Sequence, residues 1–278
     1  MSRRSWLAVV RSRARVVGAG LGVVALGVTA LVVTGSGPAS AVDAVRQQLP
    51  IVAGTELSLP GGACTAGAVL TANGLLWNVT DYQRSVRYVV TAGHCGSVND
   101  PVSVRTPSGV VQVGKVTWTS DRADLALVRI EPDASRRQLC GSGPDGPRCV
   151  ISVAYTPRAT GKVLLPAGAV SVTSTGTPGS SEIFCTSGIT TGAMCVWHTY
   201  VPPQPISELP AGASLAESAA SNTEIGDSGG PVVSRSGVLY GIIASRGRVG
   251  SSVPDVTVYT TMDQFFKEQS GYSLAPAN

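Results

Sequence analysis

The sequence predicts an all-β fold, and three observations carry that prediction. Short apolar runs rich in Val and Ile recur along the chain: Ala68-Val-Leu, Tyr88-Val-Val-Thr, Val110-Val-Gln-Val, Leu125-Ala-Leu-Val, Lys162-Val-Leu-Leu, Val232-Val and Leu239-Tyr-Gly-Ile-Ile. Gly, Pro, Asn and Ser punctuate them, as they do between strands. Charged residues are only 14% of the chain while glycines number 33, which suits a loop-rich globular body and excludes disorder or a coiled coil. Many short strands in succession point to an antiparallel sandwich or barrel.

The elements follow in chain order. Arginines 3, 4, 11, 13 and 15 precede an apolar run, Val16 to Val33, and then Ala39-Ser40-Ala41, a small-x-small pattern. Residues 1–41 therefore read as a secretory signal peptide. The run's 18 residues are also the short limit of a membrane anchor. Ser2-Arg3-Arg4-Ser5-Trp6-Leu7 has the form of a twin-arginine export signal, the general secretory route being the alternative. Residues 42–50 form a short spacer or propeptide, and Ile51 opens the body. Residues 131–149 are turn-rich and read as a connection between two halves. Residues 174–182 and 201–222 read as loops. One helix is predicted, Thr261 to Gln269, where Met262, Phe265 and Phe266 share a face.

The formal net charge of +4 belongs to the leader. Without its five arginines, 16 basic residues face 17 acidic ones. The nearly neutral body carries no basic patch of the kind nucleic acid requires. Membrane contact is expected only through the leader. Six cysteines, Cys64, Cys95, Cys140, Cys149, Cys185 and Cys195, all follow the leader. An even count in an exported chain implies disulfides. The close spacings favour Cys140–Cys149 and Cys185–Cys195, leaving Cys64–Cys95. No Cys-x-x-Cys pair occurs, and no metal site is expected.

Two strings carry chemistry: Thr91-Ala-Gly-His-Cys95 and Gly226-Asp-Ser-Gly-Gly-Pro231. A serine hydroxyl is a weak nucleophile at neutral pH and needs a base to take its proton. Imidazole suits that role because its pKa lies near working pH. The chain has two histidines; His94 is the candidate base for Ser228, while His198 has no partner motif. The base needs an acceptor to fix its tautomer. Asp124, at the entrance of an apolar strand, is favoured over Asp121, whose flank is polar. The N–H groups of Gly226 and Ser228 are candidate donors to the oxyanion of a tetrahedral intermediate.

These strings, in the order His, Asp, Ser, resemble the chymotrypsin-like (trypsin-like) serine peptidases, particularly the secreted bacterial branch that includes streptogrisins. Cys64-Thr-Ala-Gly67, Ala244-Ser-Arg-Gly247 and Val258-Tyr-Thr260 extend the resemblance across roughly residues 51–270. It implies two antiparallel six-stranded β-barrels, about 51–140 and 150–278, with a short C-terminal helix. It also implies a secreted endopeptidase that forms an acyl-enzyme at Ser228 without a cofactor, acting as a monomer on peptide or protein substrates. The resemblance places Cys64–Cys95 beside His94 and assigns Ser245 the support of Asp124. A catalytically silent peptide-binding relative is the alternative. An α/β-hydrolase is disfavoured, since it orders its triad Ser, Asp, His.

The chain departs from that family in two places. Glu224 stands where many members carry a cysteine bridged across the specificity pocket. Asn222 stands at the pocket floor, where an aspartate would select Arg or Lys, so uncharged side chains are expected. Gly247, with Thr257, is assigned to the opposite wall. Ile51-Val-Ala-Gly54 resembles the N-terminus created on activation of animal members, whose amine would pair with Asp227. Pro50 precedes it, and cleavage there remains open.

Overall fold

The computed structural model describes residues 42–143, 146–204, 206, 209–246 and 256–278; residues 1–41, read as a signal peptide, and Gly247 lie outside them. The first half comprises β1 (Ile51–Ala53), β2 (Glu56–Leu59), β3 (Gly62–Thr65), β4 (Ala68–Ala72), a short helix α1 (Asp81–Ser85), β5 (Arg87–Thr91), β6 (Pro101–Thr106), β7 (Gly109–Thr119) and β8 (Ala126–Ile130). A ribbon follows, β9 (Asp133–Gly143) and β10 (Gly146–Thr156). The second half holds β11 (Ala159–Leu165), β12 (Gly168–Ser171), β13 (Ser174–Thr175), β14 (Phe184–Gly188), β15 (Gly192–Thr199), β16 (Ala213–Glu217), β17 (Pro231–Val233), β18 (Val238–Arg246), β19 (Val256–Thr261), α2 (Met262–Glu268) and β20 (Tyr272–Leu274).

The expected all-β architecture in two halves is present, but in place of two six-stranded barrels it has one closed barrel and one half-barrel. In the second half, β14, β15, β16, β19, β18 and β17 pair in sequence and close on themselves as a six-stranded ring. Closure removes the exposed strand edges. The first is an eight-stranded antiparallel sheet, ordered β20-β4-β5-β8-β7-β6-β2-β3. Its outer strand β20 comes from the end of the chain, and α2 makes that return possible. Thr261 caps α2 by accepting from Gln264 N–H, and Met262 and Phe265 point inward. The predicted helix is therefore present at nearly its expected bounds.

The core explains why the halves form one body. Leu70, Val90, Leu125 and Leu127 of the first half share a buried cluster with Val233, Leu239 and Ile242 of the ring and with Met262 and Phe265. Large fully buried side chains of this kind are each worth about 1.5–3 kcal/mol relative to exposure. All seven runs read as strands lie on strands.

Four segments differ from the sequence reading, the smallest being Ser174–Thr175 at the start of the loop 174–182, which pair with β18 as β13. The turn-rich stretch 131–149 is mostly ribbon: every residue of β9 is exposed, and Cys140 faces Cys149 across the pair. With no buried face the ribbon shows no alternation, so periodicity could not reveal it. The loop 201–222 contains β16, whose Ala-Ser-Leu-Ala-Glu has little β-propensity and is held by β15 and β19. Helix α1 was not foreseen, although Thr80 and Gln83 form a capping box at its start.

One residue stitches the sheet to the ring. Thr65, fully buried at the end of β3, donates its N–H to the Ser228 carbonyl (2.8 Å) and its hydroxyl to the Gly226 carbonyl (2.8 Å). The same hydroxyl accepts from Ile189 N–H (3.1 Å), and the Thr65 carbonyl accepts from the Thr91 hydroxyl (2.9 Å). Thr65→Val keeps the shape but strands a buried carbonyl and a buried N–H. It should lower unfolding stability by about 1–3 kcal/mol in urea titration; an unchanged midpoint would show that the seam carries no load.

Candidate active site

His94 lies in a single 3-10 turn, Gly93–Cys95, directly after β5. The Cys64–Cys95 disulfide ties that turn to β3. Asp124, in the loop entering β8, grips the histidine twice. One oxygen accepts the His94 main-chain N–H at 2.8 Å, and the other lies 2.7 Å from ring Nδ1. Two contacts to one carboxylate fix both backbone and ring. Gly93 permits the approach, because a Cβ there would fall 3.0 Å from Asp124 Oδ1 and 2.9 Å from Leu125 N. With Nδ1–H donating to Asp124, Nε2 carries the free lone pair.

The electrostatics follow from that geometry. The hydrogen bond to Asp124 raises the His94 pKa above its ordinary 6.5, burial opposes this, and the carboxylate's charge adds to it. The ring is half exposed while the Asp124 side chain is only 20% exposed. Asp121, the rival carboxylate, is exposed and makes no bond to His94 among the described residues.

The turn holding Ser228 is built from its own main chain. Asp227 N–H donates to the Glu224 carbonyl (3.0 Å), and Gly230 N–H to the Asp227 carbonyl (2.9 Å). Gly229 N–H and the Gly230 carbonyl then bond both polar groups of Ile243 on β18. Gly226 and Gly229 have φ of 101° and 86°, which favours glycine. A Cβ on Gly229 would also strike Thr91 Oγ1 and the Thr65 carbonyl.

The Ser228 carbonyl lies 2.8 Å from Thr65 N and 4.0 Å from Cys95 Sγ, so this turn packs against the disulfide that flanks His94. Among the described residues, the Ser228 hydroxyl makes no hydrogen bond, and the N–H groups of Gly226 and Ser228 donate to no protein acceptor. Catalytic hydrogen bonds are often loose before substrate binds. Cys64, Cys95 and His94 cluster at metal-ligand spacing, but both sulfurs are consumed by the disulfide. Neither the hollow lined by Trp77, Tyr82 and Arg129 nor the one lined by Leu49, Pro50 and Thr156 includes any of these residues.

Residues 65–242 match the family described as trypsin-like peptidase domain. The chain belongs to the trypsin-like peptidases. The matched span includes His94, Asp124 and Ser228. Among solved structures, Thermobifida fusca protease A is similar at 21% identity with a TM-score of 0.53, covering 81% of this chain and 98% of that one. Nocardiopsis protease gives 21% and 0.54 over the same shares. Cellulomonas bogoriensis chymotrypsin gives 17% and 0.53, covering 82% and 99%. At these identities the likeness is one of fold, and the fold is the all-β chymotrypsin-like one. Comparison with curated proteins returned no match.

Within this trypsin-like peptidase, the three disulfides pair as expected, Cys64–Cys95, Cys140–Cys149 and Cys185–Cys195. Asn222 is partly buried and spends its side-chain oxygen on Thr223 N–H (2.9 Å). The Thr223 and Thr257 hydroxyls are 3.1 Å apart and buried. Ser245 is exposed on β18 and makes no bond to Asp124 among the described residues, so the support assigned to it is not seen. His198 pairs with Glu217 across β15 and β16, Nε2 lying 3.3 Å from Oε1, away from His94. Sequence reasoning missed three residues beside the candidate site. Thr65 was legible only as part of Cys64-Thr-Ala-Gly67. Arg246 pairs with Glu224 at 2.7 Å, joining β18 to the position where relatives carry a bridging cysteine. Ile225, 91% exposed, sets an apolar side chain beside the turn.

The two imidazoles can be resolved by proton NMR, with His198→Gln assigning them. His94 should titrate with a midpoint above 6.5, and Asp124→Asn should move it down. Because the folded-state value is raised, this pair contributes stability below pH 6.5 that is lost as pH rises through the folded midpoint. A midpoint at or below 6.5 in the intact chain would contradict the pairing.

Proposed function

We propose that this chain is a secreted serine endopeptidase in which Ser228 attacks the scissile carbonyl and forms an acyl-enzyme. His94 Nε2 takes the hydroxyl proton and returns it to the leaving amine. Asp124 holds the ring in the required tautomer and stabilises the imidazolium. The free N–H groups of Gly226 and Ser228 receive the oxyanion. The two-point grip of Asp124 on His94, inside a trypsin-like peptidase domain, is the observation that carries this reading. Three disulfides fit an oxidising compartment, and a leader over residues 1–41 supplies the route there.

Substrate choice follows from charge. Asn222 offers none, and Glu224 is neutralised by Arg246. The proposed preference is for an uncharged residue before the scissile bond. Hydrolysis of a peptide panel varying only that residue tests both statements. The wild-type chain should cleave the uncharged members, and Ser228→Ala should lower kcat by about 10⁴-fold or more. No hydrolysis of any member would favour a silent peptide-binding relative, and strong Arg or Lys selectivity would overturn the pocket assignment.

A further inference from the structure

Four large apolar side chains stand exposed on a single turn between β4 and α1. Leu75 is 90% and Leu76 81% exposed, and Trp77 and Val79 are more than half exposed. A contiguous exposed apolar patch marks a surface that something covers. The turn's main chain makes most of its own bonds. Leu75–Trp77 is one 3-10 turn, in which Trp77 N–H donates to the Gly74 carbonyl (3.4 Å) and Asn78 N–H to the Leu75 carbonyl (3.2 Å). The Asn78 side chain also donates to the Gly74 carbonyl (3.0 Å). Arg84 Nη1 donates to the carbonyls of Asn78 (2.9 Å) and Val79 (3.1 Å). A segment can leave water for an apolar phase only if its backbone polar groups find partners within the protein. Four carbonyls of this turn do so, while the leucines and the tryptophan face outward.

Helix α1, which begins two residues after Val79, joins the turn to the β9–β10 ribbon. Tyr82 packs edge-on against Tyr155 of β10, with ring centroids 5.3 Å apart, and the Ser85 hydroxyl donates to the Tyr155 carbonyl (3.2 Å). Alternate residues of a strand share a face, so Val153 and Ile151 continue the Tyr155 face outward along β10. Both are exposed, Ile151 to 73%. The register sets Arg136 of β9 opposite Val153 on that face. Arg136 is exposed and has no carboxylate partner among the described residues. The near-neutral total of the body hides this distribution. Between Ala134 and Pro157 the sequence holds three arginines against one acid, Asp145. The flanking acids are already paired, Asp133 with Arg158 (2.8 Å) and Asp81 with Arg84.

We propose that the Leu75–Val79 turn, together with the ribbon face bearing Ile151, Val153 and Arg136, is a docking surface for an anionic lipid bilayer. Leu75, Leu76 and Trp77 enter the interface, and Arg136 meets headgroup charge. Shape and charge both favour a bilayer over a protein partner. The leucines project from the surface, and a bilayer takes a projecting tip without a matching pocket. Trp is enriched at membrane–water interfaces, and cations beside an apolar patch add attraction to anionic lipid. None of these residues belongs to the His94, Asp124 and Ser228 site, so docking would hold the body at a membrane without engaging those groups. This adds a membrane contact in the body to the one expected of the leader, and it does not depend on the peptidase reading.

Co-sedimentation with vesicles tests it, using residues 40–278, which form one compact unit and lack the apolar run of the leader. This body should bind vesicles of equal parts phosphatidylglycerol and phosphatidylcholine, and bind pure phosphatidylcholine about fivefold or more weakly. Leu75→Ser combined with Leu76→Ser should lower affinity for the anionic vesicles about tenfold or more. Arg136→Gln should lower it about fivefold at low salt, and the difference should shrink as salt rises. All three side chains are exposed, so near-ultraviolet circular dichroism of the variants should match the wild type. Tryptophan emission of the wild type should shift to shorter wavelength on the anionic vesicles, and Trp77→Phe should abolish the shift. The wild-type binding and shift keep the test decisive if a variant fails to fold. Absence of binding to anionic vesicles, or binding indifferent to loss of both leucines, overturns the proposal. A dimer in lipid-free solution that dissociates when the leucines are replaced also overturns it, by assigning the patch to a second copy of the chain.

Discussion

Thr65 is the constraint on which the site depends. The first half of the chain carries His94 and Asp124, and the second carries Ser228. Each half could pair its own strands without setting the distance between these groups. Thr65 sets it by bonding the Ser228 and Gly226 carbonyls from the end of β3, the strand that also holds Cys64 and, through it, the His94 turn. The shared apolar core supplies most of the free energy that joins the halves, but apolar contact is not directional. A few buried hydrogen bonds, each worth only about 0.5–1.5 kcal/mol net, determine where the halves stop.

Around that seam the site is held by contacts of very different strength. The histidine is fixed by a carboxylate that bonds both its backbone and its ring. Gly226 to Gly230 are fixed by main-chain bonds to β18 and by the buried Asp227. At Glu224 the restraint is weaker. An ion pair with both partners nearly half exposed is worth about 0–1 kcal/mol, against about 2–4 kcal/mol for a typical disulfide. The end of the turn that bears Ser228 is therefore rigidly built, and the segment leading to it is held more loosely.

Much of this was legible in the sequence, for identifiable reasons. Strands with one buried face alternate or run apolar, and each of the seven runs read as strands overlaps one, while β14, buried along its whole length, was not read as a strand. Met262, Phe265 and Phe266 announced the single late helix. His94 and Ser228 were picked out from strings whose glycines are dictated by crowding, Gly93 by Asp124 and Gly229 by Thr91 and Thr65, and Asp124 from its place at the entrance of an apolar strand. The failures share one cause, since a contact between distant segments leaves no local pattern. The β9–β10 ribbon has no core face, β16 owes its conformation to its neighbours, and Arg46 looked like one more charge in a polar spacer. Its burial against Ser187, 141 residues away, is visible only in the fold. Ser245 shows the opposite error, a role inferred from a motif whose contact is not seen.

The central claim is that an activated hydroxyl exists at Ser228. Covalent labelling by an organophosphonate, located by mass spectrometry of the intact and digested protein, tests it without any knowledge of the substrate. The account predicts stoichiometric modification at Ser228 alone, abolished by His94→Ala. An unmodified Ser228 in correctly disulfide-bonded protein, or modification indifferent to the loss of His94, would contradict it.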